Sequence, residues 1–154
     1  MRRRVVTVIA VAAAALAAAS PAAAASFANG GGRGTVDGAT PFSQFGFGVK
    51  FGAGGSATGH FTCLMAGASA FPDFEPLMKV SGHVDGGSAD PASGTATFTG
   101  SGTLNLGPDG RMDAVFLVRV RDGAAGLGKL QLTVLFPPFP LPEETVLNGL
   151  ISVR

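Results

Sequence analysis

Apolar and polar residues alternate with a period of two over most of the chain, the signature of half-buried β-strands. Phe45, Phe47, Val49 and Phe51 alternate with Gly46, Gly48 and Lys50. Thr58 to Ala66 follows, then Leu77 to Asp85, where Val80, Gly82 and Val84 oppose Lys79, Ser81 and His83. Ser93 to Leu106 sets Thr95, Thr97 and Thr99 on one face and Ala96 and Phe98 on the other. Arg111 to Arg121 turns Met112, Ala114, Phe116, Val118 and Val120 inward, and Lys129 to Phe136 does the same with Leu130, Leu132, Val134 and Phe136. Val146 to Val153 is the last strand, and a short one near Arg33 to Val36 brings the count to about eight. No stretch holds apolar residues at helical spacing over three turns, because Gly and β-branched residues interrupt every candidate.

The connections favour antiparallel neighbours. Gly107-Pro108-Asp109-Gly110 places an Asp-Gly pair between two alternating runs, a strong hairpin signal. Gly52 to Ser56, Asp85 to Pro91 and Asp122 to Gly128 read as further Gly-rich hairpin loops. With no helix available for a crossover, an all-β antiparallel meander is expected, as a small β-barrel or a β-sandwich. Gly46, Gly48, Gly100 and Gly102 lie mid-strand, where barrel closure bends strands, so the barrel is favoured.

Residues 1–25 read as a secretory signal peptide. Arg2, Arg3 and Arg4 precede the apolar run Val5 to Ala19, and Ala23 and Ala25 give the small-x-small pattern before Ser26. Cleavage of those 25 from 154 residues leaves 129, one all-β domain over 26–154. Of 11 basic residues, eight remain against 10 acidic ones, a net charge of −2. That balance excludes an electrostatic nucleic-acid binder. No later run of eighteen apolar residues remains to span a bilayer, so a soluble, extracytoplasmic protein is expected. Cys63 is the single cysteine, so no intrachain disulfide can form. Its strand neighbours Phe61 and Met65 predict a buried, inert thiol.

Several phrases, taken in order, resemble the post-COAP family of secreted bacterial domains. They are Phe45-Gly46-Phe47, Gly59-His60, Val80-Ser81-Gly82-His83-Val84, Gly94-Thr95-Ala96-Thr97-Phe98-Thr99-Gly100, Val118-Arg119-Val120-Arg121-Asp122-Gly123 and the strand Leu130 to Leu135. They span most of residues 31–153. Members of that family tend to carry an Asn-Gly-Glu-Pro-Gly turn where this chain has Gly123-Ala124-Ala125-Gly126. The resemblance implies an exported all-β domain of unknown function and brings no catalytic residues.

Candidate chemistry is sparse. If Thr58–Ala66 and Leu77–Asp85 pair around a loop between Phe71 and Pro72, His60 and His83 stand opposite each other on the outer face. With Asp85 nearby they could hold Zn²⁺ or Cu²⁺ through imidazole nitrogens; two solvated histidines are the plainer reading. Asp85 and Asp90 bracket an oxygen-rich stretch that Ca²⁺ could use, although turn chemistry alone explains it. Asp73 and Glu75 offer paired carboxylates between Pro72 and Pro76, but sugar-cleaving sites usually add Trp or Tyr platforms, and the chain has neither. Ser69, Ser101 and Cys63 are the candidate nucleophiles, and none sits in a nucleophile elbow. Phe136 to Pro142 is an extended proline-rich segment whose Phe139 and Leu141 either cap the core or form a ridge for a hydrophobic partner. Phe139 and Leu141 are thus candidate ligand-binding residues, and Arg119 of the strand Arg111 to Arg121 is a third. The expected function is a non-catalytic binding or structural module without a cofactor. The alternatives are a small secreted barrel enzyme or a lipocalin-like carrier, and an exported protein or an apolar small molecule is the expected partner. The interior is expected to be filled by Phe45, Phe47, Phe51, Phe61, Phe98 and Phe116.

Overall fold

The computed structural model describes residues 25–66 and 77–154. It is all-β, with ten antiparallel strands in one sheet. These are β1 (Ser26–Thr35), β2 (Ser43–Phe51), β3 (Ser56–Ala66), β4 (Leu77–Asp90), β5 (Thr95–Asn105), β6 (Arg111–Arg121), β7 (Gly123–Ala124), β8 (Lys129–Phe136), β9 (Pro138–Pro140) and β10 (Glu144–Val153). Each strand from β1 to β6 pairs with the next, β6 pairs with β8, and β10 pairs with β1. A further pairing of β10 with β8 closes eight strands into a ring, as a barrel requires and two separate sheets would not allow. The closing seam is short. Glu144 pairs with Leu130 and Thr145 with Lys129, while the two-residue β7 pairs with Leu150 and Ile151. Between these, the Val146 N–H donates to the Gly128 carbonyl at 2.8 Å and the Gly126 N–H to the Val146 carbonyl at 2.8 Å. The Gly-rich stretch 123–128 is thus a loop that also seals the ring.

The core lies inside. Phe45, Phe47, Val49 and Phe51 are all buried, as their alternation predicts, and so are Phe61, Cys63 and Met65. Phe47 packs on Phe98 at 5.5 Å between ring centroids, Phe98 on Phe61 at 6.1 Å, and Phe61 on Phe116 at 5.4 Å. A run of aromatic contacts therefore spans the interior, with Phe98 fully buried in its middle.

Four strand expectations need correction. The first strand is ten residues long and takes in Asn29-Gly30-Gly31-Gly32, held by backbone pairing to β2 on one side and β10 on the other. β4 runs on to Asp90, so Asp85 to Asp90 is strand and the turn falls at 91–94. Phe136 does not share a face with Val134: Val134 pairs with Phe116 and Phe136 with Val115, leaving Leu135 as the extra residue of a β-bulge. Phe136 is consequently 65% exposed. Met112, expected inward, is 41% exposed near the start of β6. No helix among the described residues is long and apolar enough to cross a membrane.

Candidate functional site: a cationic depression on the outer face

β6 turns Ala114, Phe116, Val118 and Val120 into the core, so its alternate residues Arg119 and Arg121 project outward. Across the sheet Arg119 is flanked by Thr97 of β5 and Gln131 of β8, and Arg121 by Thr95 and Lys129. Arg119, Arg121, Thr95, Thr97, Lys129 and Glu143 line an open depression of about 260 Å³. Three cations face one anion there. Lys129 Nζ donates to Thr145 Oγ1 at 2.6 Å and lies 4.0 Å from the Glu143 carboxylate. The Arg119 and Arg121 guanidinium groups form no ion pair or side-chain hydrogen bond among the described residues. Two planar donor forks thus stand open beside the Thr97 hydroxyl, the chemistry that recognises an oxyanion.

The other candidates are placed as follows. His60 and His83 are direct cross-strand partners on the outer face, in the register that the loop between β3 and β4 predicts. Both are exposed, and His60 lies against Gly48 of β2. Among the described residues no three His, Cys, Asp or Glu side chains gather as a metal site. Asp85 and Asp90 do not share a loop, being five residues apart along β4, roughly 16 Å for extended chain. Asp90 caps the following turn instead, accepting from the Ser93 hydroxyl at 2.7 Å and the Ala92 N–H at 3.1 Å. Those bonds hold its carboxyl below the usual range. Ser101 is exposed opposite His83. Leu141 is 2% exposed and belongs to the core, and Phe139 is partly buried against it. The proline segment's exposed large apolar side chain is Phe136. Ser69, Asp73 and Glu75 lie outside the described residues.

A buried polar group escapes the sequence reading. Glu144 of β10 is 1% exposed, and its carboxylate accepts a short hydrogen bond from the Ser43 hydroxyl of β2. It occupies the space beside Gly34, where any side chain would collide with it. Burial pushes its pKa up to about 7, with the Ser43 bond acting in the opposite sense. Burial, reinforced by Glu144, likewise pushes the Cys63 thiol well above its ordinary value and keeps it un-ionised, consistent with an inert thiol. Alternation contained the signal: Ser43 stands two before Phe45, and Glu144 two before Val146, so extending either strand outward turns both inward.

Compared with models of known families, with curated proteins and with solved structures, the chain finds no match.

Proposed function

We propose that this chain is an exported, non-catalytic β module whose interior is a scaffold and whose outer surface does the binding. The observation that carries the reading is Phe98, fully buried and in ring contact with Phe47 and Phe61 where a carrier would hold its ligand. The inward polar groups Ser43, Cys63 and Glu144 are each at most 5% exposed. The groups most able to meet a ligand, Arg119, Arg121, His60 and His83, lie outside. The basic and apolar pattern of residues 1–25 supports export, and the resemblance to the post-COAP domains supports the same assignment. The test is titration of the exported chain with an environment-sensitive apolar dye. No saturable binding is expected; stoichiometric binding that alters the environments of Phe47 and Phe98 would overturn the scaffold reading. The exported form is expected to begin at Ser26, which N-terminal sequencing of secreted protein checks.

A further inference from the structure

We propose that the outer face of β6 and β8 binds a phosphate-headed amphiphile, with the phosphate at Arg119 and Arg121 and the hydrocarbon along Leu117, Val115 and Phe136. The inference deepens the reading that binding occurs outside the ring. It rests on the order of side chains along this strand pair. From its C-terminal end, β6 presents Arg121, Arg119, Leu117 and Val115 outward in steps of two residues. Beside them β8 presents Lys129, Gln131, Thr133 and then, through the bulge at Leu135, Phe136. The face therefore changes from cationic to apolar along one line. Arg119 and Val115 are four residues apart, about 13 Å along a strand, within reach of a medium-length alkyl chain.

Both ends have groups with unmet binding capacity. At the cationic end the two guanidinium groups are unpaired among the described residues, and Thr97 adds a hydroxyl. Two donor forks suit the several oxygens of a phosphate better than the single pair of a carboxylate. At the apolar end Val115 is 41%, Leu135 45% and Phe136 65% exposed. The bulge is responsible: regular alternation would turn Phe136 inward, whereas the extra residue turns it out beside Val115. The chain after Ser26 is net acidic, so the cations here are a local concentration rather than part of a basic surface. Past Val115 the outward series continues with Asp113 and Arg111, the latter bonded to Thr103. The unpaired guanidinium pair therefore stands at one end of the apolar strip only, which matches a ligand with a single anionic head and a tail.

The experiment is calorimetric and NMR titration of the exported chain with three probes: inorganic phosphate, dodecyl phosphate below its micellar concentration, and dodecyl maltoside. Dodecyl phosphate is expected to bind at least tenfold more tightly than either other probe, with amide shifts confined to β5, β6 and β8. Combining Arg119→Gln with Arg121→Gln is expected to weaken it at least tenfold. Phe136→Ser is expected to cut its advantage over inorganic phosphate at least fivefold. All three positions are exposed, and unchanged amide spectra elsewhere confirm that the variants fold. Equal binding of dodecyl phosphate and inorganic phosphate would overturn the amphiphile in favour of a free-phosphate site. Equal binding of the two dodecyl probes, or indifference to the double Arg change, would overturn the site itself. Shifts centred on Phe47, Phe61 and Phe98 would instead defeat the scaffold reading, so the two failures are distinguishable.

Discussion

Glu144 lies on the inner face of β10, held by the Ser43 hydroxyl and surrounded by core, and burial raises its pKa from 4.5 to about 7. The folded protein then keeps a proton that the unfolded chain releases between those values. Stability from this group is fully present below about pH 4.5 and falls as pH rises to about 7, by up to about 3 kcal/mol. Glu144→Gln preserves the neutral shape and removes the titration. Its denaturation midpoint is expected to vary less than the parent's between pH 5 and pH 8, with the variant the more stable at the upper end. Parallel denaturant titrations check this, and identical pH profiles would show that Glu144 is not held protonated. Asp37 has the opposite sign. Its carboxylate accepts from the Thr40 N–H at 2.7 Å, the Ala39 N–H at 2.8 Å and the Thr35 hydroxyl at 2.8 Å, which together hold its pKa well below the ordinary value. Its contribution is present above about pH 4 and is lost as pH falls. Asp37→Ala is expected to lower the melting temperature at pH 7, by a margin that shrinks in acid.

Single strands show where local rules hold and where a neighbour overrules them. In β8, Leu132 is fully buried and Phe136, four residues later in the same alternation, is out. Leu132→Ala is expected to cost about 2–5 kcal/mol, and Phe136→Ser no more than about 0.5. Similar losses from the two would contradict the bulge. Glycines separate in the same way. A methyl group on Gly100 would overlap the His83 carbonyl and the Phe116 ring, whereas on Gly46 its nearest contact is Thr62 at an ordinary 3.7 Å. Gly100→Ala is expected to destabilise by about 1–3 kcal/mol and Gly46→Ala to be neutral or mildly stabilising, by thermal or chemical denaturation. Strands β2, β3 and β6 were legible because bulky apolar residues mark every second position. Most of β1 was not, because a run dominated by glycine has no alternation to read, and pairing on both edges is what makes it a strand.

At the scale of the molecule, ring closure joins the first and last long strands, and the inner rings meet from β2, β3, β5 and β6. Phe98 touches Phe47 and Phe61, so its removal opens space in the middle of the ring. Phe98→Ala is expected to lower stability by about 3–5 kcal/mol and to create binding of a benzene-sized apolar probe that the parent lacks. NMR titration of the two proteins with benzene decides it, and equal binding by both would mean the interior was already open.

Alternation by itself determined the all-β class and the inner faces of β2, β3, β5 and, past Met112, β6, because side-chain direction is a local property. Arg119, between the inward Val118 and Val120, falls on the outer face for the same reason. The opposition of His60 and His83 was legible only on condition of an assumed register between their two strands. Only the tertiary structure decided the length of β1, the outward turn of Phe136 and the meeting of Glu144 with Ser43 beside Gly34. Each depends on which strand lies alongside. A bulge is defined by its partner, a glycine strand by its two neighbours, and a raised carboxyl pKa by the apolar residues that the closed ring packs around it.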